Sequence, residues 1–598
     1  MSKKISSGEN KLTLSIFELM FLVWSGIVLV SVILAILGIF YPFIIGLYFI
    51  GVLFWLWRLQ QQNKIIIKFC STKERTLLVG LILLVSILSS FTVPTIFGGR
   101  DEGSLATSAF LINQDHSLSY QSKSINTFAK IYGEGKALNF PGFFYQKKEA
   151  NSFTLRSQFL PGYSSYLANF AHPSKVNLLK FANALPLIIF LLSFFSVSKQ
   201  ITKSDKFSFL AVIGLATTIP LALFYKFTLS EIFFASLLWS GLYFLIKYLQ
   251  NSSKNFDSLL FWFIFIPLLP TVFVRIESFA IIFILVLILI LKKHSKLHIP
   301  KYQIPILLIV FLSVVSIVLF NNFFVATLKG FFSSLLNTSP SASENLTAHS
   351  LIPKMWQNFY ALKVFYIYNL IPFFVLGLLG IIKLFREKKW LYLMPAFLLG
   401  VTGIYFIDAN ISLDHPWMLR RFVFSLIPLG ILYTIVLFQR YPLRRKKISD
   451  LILTILIVSN ILMVGPFITF KQNDGLIKQV ELLSTKFQSN DLILVSQKSS
   501  GSGWSLISAP LRTVFQKQAV YFFNPNDFVK IDASNYNHIY LITSKEEIPL
   551  YKQVLSLEKI KKKENYSLQN QYLEPTKNPL QFPKAITTKT SGVIYMLK

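Results

Sequence analysis

The chain has one cysteine, Cys70, in 598 residues. A lone thiol excludes an intramolecular disulfide framework and any multi-cysteine metal site. Histidine is scarce as well: the seven present are scattered, without the spacing that gathers ligands around zinc. Acidic residues number 27 against 59 lysines and arginines, a formal net charge of +32. Nucleic acid could draw on such a charge, but the basic residues form no single patch. They fall in short clusters between apolar runs, as cytoplasmic loops of membrane proteins do, so no nucleic-acid partner is expected. Charge of either sign makes up only 14% of the chain, while 53% is hydrophobic and 16% aromatic. Soluble domains carry about a quarter charged residues, so this balance points to a multi-span membrane protein.

Apolar windows of helix-spanning length lie at 16–37, 39–57, 76–97, 176–198, 207–225, 229–249, 258–291, 304–325, 362–384, 390–407, 422–440 and 449–469. The 258–291 window is too long for one span and is broken by Pro267, Pro270 and the pair Arg275/Glu277. Split into helices 258–273 and 276–291, it brings the total to about thirteen spans. The polar start Met1–Lys11 has signal-peptide flavour, but the run behind it is too long for an h-region, so a retained anchor is expected. With the N-terminus in the cytoplasm, every loop assigned inside is basic, including Lys73/Arg75, Lys199/Lys203/Lys206, Lys247/Lys254, Lys292/Lys293 and Arg444–Lys447.

Three segments then lie outside: 98–175, 326–361 with its Ser/Thr/Asn-rich run Ser333–Ser350, and the tail from 471. The reading divides the chain into a two-helix membrane segment (1–75), a membrane catalytic region (76–470) and an extracytoplasmic α/β domain (471–598). In the tail, Asp491–Ser496, Ala519–Phe523 and His538–Thr543 read as short buried strands between helical segments. Gly501-Ser502-Gly503-Trp504 lacks the third glycine of a dinucleotide-binding turn.

Two carboxylates beside a basic residue, in Gly98-Gly99-Arg100-Asp101-Glu102-Gly103, follow directly on an apolar span, where charge is costly unless hydrated, paired or in use. They open a helix-like stretch, Ser104–Ile112, expected to lie amphipathically along the membrane surface. Helix capping is the alternative reading of an acid in this position, favoured for Glu102 and secondary for Asp101. Further on, Phe140-Pro141-Gly142-Phe143 and Phe159-Leu160-Pro161-Gly162-Tyr163 read as Pro-Gly turns in an aromatic interfacial scaffold. In Asp414-His415-Pro416-Trp417-Met418-Leu419-Arg420-Arg421, two arginines stand at an outer helix N-terminus, against both the positive-inside bias and the helix dipole. A bound phosphate would remove that conflict, as would pairing with Asp408, Asp414 or lipid headgroups. Arg275 and Glu277 either line a cavity or pair with each other. Lys226 reads as snorkelling from a span end, and Thr228-Leu229-Ser230-Glu231 as a capping box that gives Glu231 a structural role. Arg156 and His172 are loop candidates for sugar or phosphate contact.

An acidic pair after a transmembrane helix, then a surface helix, then an aromatic Pro-Gly segment resembles the GT-C superfamily of lipid-sugar-dependent glycosyltransferases, particularly the protein O-mannosyltransferase and aminoarabinose-transferase type. The likeness covers about 76–440 and departs from the family in having two spans before the acidic loop. It implies a polytopic α-helical membrane fold with an extracytoplasmic C-terminal domain, in the cell membrane. It also implies inverting transfer of a sugar from a polyprenyl-phosphate-linked monosaccharide to an acceptor hydroxyl at the outer face. In that resemblance Asp101 is the general base with Glu102 beside it, and Arg420 and Arg421 hold the lipid phosphate. Arg275, Arg156 and His415 complete the candidate contacts to substrate. No redox cofactor is implied; some enzymes of the superfamily use a divalent metal, for which one carboxylate pair is thin support. A flippase or transporter, or a multi-span glycan polymerase or ligase, would share the span count. The first should show repeated halves, which the sequence lacks.

Overall fold

The computed structural model describes residues 12–62, 65–97, 101–149, 152–250, 257–293, 300–321, 325, 360–406, 414–442, 446–501, 507–555 and 563–598. Gly98–Arg100, Asp408, Ser333–Ser350 and Ser502–Trp504 therefore lie outside the described residues.

Each apolar window coincides with a helix or a bent helix pair. Five helices are long and apolar enough to cross a membrane: Ile16–Leu37, Pro42–Gln61, Pro173–Thr202, Ser230–Gln250 and Lys447–Thr469. Three bent pairs raise the number to 8 if each is one span, and four shorter apolar helices accompany them. The remaining window is the helix Thr72–Ser90. The expected break near Arg275 is present: the helix Asp257–Leu268 passes into a 3-10 turn, Leu269–Phe273, and a new helix starts at Glu277.

Loops assigned to one side of the membrane also meet at one end of the bundle. Lys73 pairs with Asp205 at 3.2 Å, Lys199 with Glu74 at 3.3 Å, and Lys206 with Asp450 at 3.4 Å. Lys247 reaches the buried Glu18, and Arg440 donates to the Ile201 carbonyl at 3.2 Å. Lys226 differs from expectation. It does not snorkel: its buried ammonium donates to the carbonyls of Phe467 (2.9 Å), Ile468 and Phe470 (2.5 Å). These include the last acceptors of the helix Lys446–Thr469, groups a helix end leaves without intrahelical donors.

The other end of the bundle carries the 101–175 region and the C-terminal domain, packed on each other. Between its helices the first region holds a four-stranded sheet, in the order Ser119–Tyr120, Ser152–Ser157, Phe143–Glu149, Gly135–Lys136. The C-terminal sheet runs in the order Lys563–Glu574, Lys584–Met596, Ile539–Ser544, Leu492–Val495, Gln518–Tyr521. Its last three strands are parallel and match the three expected from sequence. The long hairpin on its other edge was not expected. Asn139 clamps the regions together, exchanging bonds with the Tyr521 backbone at 2.7 and 3.2 Å, while Gln114 donates to the Thr513 carbonyl at 2.7 Å. This cover explains a second difference: the helix Asp101–Asp115 is no surface helix, because Glu102 through Ile112 are all buried.

The helices Ile371–Arg386 and Leu426–Arg440 touch backbone to backbone. A Cβ on Gly377 would stand 2.6 Å from the Gly430 carbonyl oxygen, and one on Gly380 2.5 Å from that of Tyr433. Small residues allow this approach in membrane helices, where close packing replaces the hydrophobic drive. The helix so seated follows directly on Arg420–Val423 and fixes where its arginines sit. Replacing Gly377 by Val should therefore destabilise the bundle by about 1–3 kcal/mol through overpacking. Thermal unfolding in detergent checks this, with the exposed neighbour Leu378→Val expected to melt as the wild type does.

Candidate active site

Three helix N-termini converge on one cavity of about 350 Å³: those of Asp101–Asp115, Ser230–Gln250 and Glu277–Lys293. Each brings a carboxylate in its first turn (Asp101, Glu231, Glu277), where the helix dipole favours negative charge. Opposite them stand Arg275, from the turn between two short helices, and Arg420 and Arg421, from the short helix before Leu426. Six formal charges thus share one cavity wall and sum to zero.

Arg275 makes a two-pronged pair with Glu277, Nη2 to Oε1 at 2.7 Å and Nε to Oε2 at 3.2 Å, and its Nη1 lies 2.7 Å from Glu231 Oε1. Glu277 Oε1 also accepts from Tyr405 at 2.7 Å and from Arg421 at 3.3 Å. Arg420 Nη2 approaches Asp101 Oδ2 at 2.5 Å, with its Nε 3.8 Å from Glu231. Glu231 and Glu277 are almost sealed, whereas the Asp101 side chain keeps 37% of its surface open. Burial alone would push the Asp101 carboxyl up; Arg420, with Arg421 and Arg275 behind it, holds it below the ordinary aspartate value. The Nε–H groups of Arg420 and Arg421 are buried without a partner, as is Glu231 Oε2.

The sequence-derived candidates separate into two groups. Asp101, Arg275, Arg420 and Arg421 line this cavity together. Glu102 does not: its side chain is buried on another face of its helix, and its carbonyl accepts from the Thr228 hydroxyl at 2.8 Å. Arg156 lines a neighbouring cavity instead, with its guanidinium over the Phe320 ring. His172 bonds to the Ser174 hydroxyl at 2.8 Å.

His415 is sealed against the C-terminal domain. Its backbone exchanges bonds with Thr576, its Nε2 meets the Asn578 carbonyl at 2.8 Å and its Nδ1 the Tyr368 hydroxyl at 3.1 Å. It thereby staples the segment ahead of Arg420 to the C-terminal hairpin, and burial holds the ring below the usual histidine value despite the bond to Asn578 and the charge of Asp414.

Glu231 is a site residue that sequence reasoning missed, and the part played by Glu277 was left open. Glu231 lies in a pattern that reads as a capping box, but no box forms: the Thr228 N–H goes to Thr95 Oγ1 at 3.1 Å, leaving the Glu231 carboxylate to the arginines. Glu277, expected either to line a cavity or to pair with Arg275, does both. It also holds Arg421, and thus ties the two arginine-bearing segments together. The signal for both was the need of three arginines at one membrane level for counter-charge. The second Pro-Gly pair also differs from expectation: Pro161-Gly162 opens the helix Pro161–Leu167 rather than a turn. Among the described residues no three His, Cys, Asp or Glu side chains gather as metal ligands. The carboxylates of the cavity each face a guanidinium, a donor set that does not fit a divalent cation.

No family model and no curated protein matches the chain. Solved structures do. ArnT from Cupriavidus metallidurans in the apo state is similar over 87% of this chain and 97% of its own, at 10% identity and a TM-score of 0.50. The same protein bound to undecaprenyl phosphate gives 88% and 98%, 10% identity and 0.47. The Archaeoglobus fulgidus oligosaccharyltransferase, in complex with Zn and sulfate, gives 80% and 69%, 12% identity and 0.48. With its apolar helices, its convergent helix N-termini and its C-terminal sheet domain, the chain has the fold of the GT-C membrane glycosyltransferases.

Proposed function

We propose that the chain is an inverting glycosyltransferase that moves a sugar from a polyprenyl-phosphate-linked monosaccharide to an acceptor hydroxyl at the outer face of the membrane. The observation that carries this reading is the Asp101–Arg420 pair, 2.5 Å apart in a cavity with two further arginines. Inverting displacement at a phosphate-linked sugar carbon requires a base on the acceptor's side of C1 and cations that hold the phosphate on the far side, and one cavity here offers both kinds of group. The shared fold supports the reaction class.

The acceptor oxygen attacks C1 of the sugar and gives its proton to Asp101. The bond from C1 to the phosphate oxygen breaks, and its electron pair leaves on the polyprenyl phosphate. Arg420 and Arg421, which line the cavity, supply positive charge and guanidinium donors for the charge that grows on that phosphate. Arg275 stays locked between Glu231 and Glu277 and positions both carboxylates.

In the empty site Asp101 is a weak base, because Arg420 stabilises its ionised form. A donor phosphate takes Arg420 in competition, and the carboxylate then rises toward its ordinary basicity. Donor binding thereby prepares the base.

Replacing Asp101 by Asn should lower kcat for transfer by about 10²–10⁴-fold, the usual worth of a positioned base. Transfer assays in nanodiscs check this; undiminished transfer would favour arginine-centred ligation, and no transfer by the wild type would favour transport. The pH profile gives a second test. The lowered pKa of Asp101 keeps it ionised, so the acid limb of kcat/KM in the wild type should lie below the ordinary aspartate value and fall only as pH drops through the lowered value. Arg420→Gln should move that limb to higher pH and raise the KM for donor.

A further inference from the structure

Phe144 and Gln158 wall the charged cavity on one side and a second cavity, of about 530 Å³, on the other. The second cavity lies along the four-stranded sheet of the 101–175 region, and the end of the helix Pro300–Leu319 closes it. Beyond Gln146, which it shares, a shallower groove of about 760 Å³ continues past Lys147, Lys148 and Thr154 to the surface. From Asp101 outward the charged cavity, the second cavity and the groove thus form an elongated, polar-walled row, each sharing wall residues with the next.

Its chemistry is selective. Gln146, Gln158 and Asn321 present amides, and Ser157 a hydroxyl, each able to donate and to accept as sugar hydroxyls do. Phe144, Tyr145 and Phe320 add ring faces and edges between these polar groups. A peptide docking as an added strand needs a free sheet edge. Phe144 and Tyr145 offer none, being paired on one side with Lys136 and Gly135 and on the other with Arg156 and Leu155, and the edge strand that reaches the cavity, Gly135–Lys136, is only 2 residues long.

Arg156 is the one group whose charge this wall does not use. Its guanidinium lies 4.9 Å from the Phe320 ring centre, its Nε is buried without a partner, and among the described residues no carboxylate lies within 4.0 Å of it. The acid across the cavity, Glu134, accepts from the Lys147 backbone N–H at 2.6 Å. Asp115 stands farther out, in the groove with the two lysines.

We propose that this passage holds the acceptor as an anionic oligosaccharide, one acidic sugar facing Arg156 and a terminal hydroxyl presented to Asp101 where Phe144 and Gln158 wall both cavities. The assignment of the outer ligand as acceptor rests on the transferase reading of the charged cavity; its binding to Arg156 does not.

The test uses the full chain in nanodiscs, titrated calorimetrically at low salt with a hexasaccharide rich in uronic acid, with neutral maltohexaose, and with a Ser/Thr-rich octapeptide. The acidic hexasaccharide should bind more tightly than the neutral one. Arg156→Gln should weaken it by roughly tenfold while leaving maltohexaose unchanged, as loss of a charge-assisted bond predicts. Arg156→Lys, which keeps the charge, should recover most of the affinity, and a melting curve for each variant separates lost binding from lost fold. Binding of the peptide alone, binding of no saccharide, or acidic-saccharide binding indifferent to folded Arg156→Gln would overturn the proposal. Undecaprenyl phosphate titrated into wild type and Arg420→Gln reads the charged cavity separately. Indifference there to Arg420 strikes the transferase reading, and leaves the saccharide result to stand or fall by itself.

Discussion

Three guanidinium groups stand against three carboxylates in one cavity, and each ion depends on the others for its place there. Taking a charge out of water costs several kcal/mol, and only close counter-charge returns that cost. Arg275 is sealed and has two carboxylate partners; Glu277 is sealed and has two arginines and a tyrosine. Asp101 and Arg420 form the open end of this lattice, the pair a ligand can reach. In the proposed reaction the rigid part holds geometry, and the exchangeable part does the chemistry.

Holding six charges in register requires that their elements cannot drift. The 3-10 turn Leu269–Phe273 packs against the helix Pro161–Leu167, where a Cβ on Gly162 would stand 2.6 Å from the Phe273 carbonyl oxygen, so the turn bearing Arg275 has a fixed neighbour. Arg420 and Arg421 are fixed from both sides: Gly430 packs on the helix Ile371–Arg386 behind them, and His415 is stapled to the C-terminal hairpin ahead. The C-terminal domain also covers the helix that begins at Asp101, through Gln114 and Asn139. That domain, remote in sequence, supports two of the four stretches of chain that build the site.

What was legible in the sequence follows from the range of the forces involved. The apolar windows coincide with helices because their hydrophobic signal is a local property of about twenty residues, while 5 to 8 of them are long and apolar enough to count as spans. The break at Arg275 was visible for the same reason, and Asp101, Arg420 and Arg421 stood out because each sits where its charge is costly. Three of the failures involve distant partners. Glu231 satisfied a local capping pattern, and only Arg275, 44 residues on, gives its carboxylate another use. The helix after Asp101 looked amphipathic while its cover, 399 residues away, was out of view. Lys226 was assigned to water because the carbonyls it caps lie 241 and more residues downstream. The hairpin Lys563–Glu574/Lys584–Met596 alternates too weakly in hydropathy to announce itself, since much of it is exposed.

The central claim is that Asp101 and a lipid-borne phosphate compete for Arg420. The most direct measurement is the affinity of undecaprenyl phosphate for the wild type and for Asp101→Asn in nanodiscs. Removing the carboxylate removes the competitor, so the account predicts tighter binding by the variant, by about tenfold. Equal or weaker binding by a variant that melts normally would contradict it.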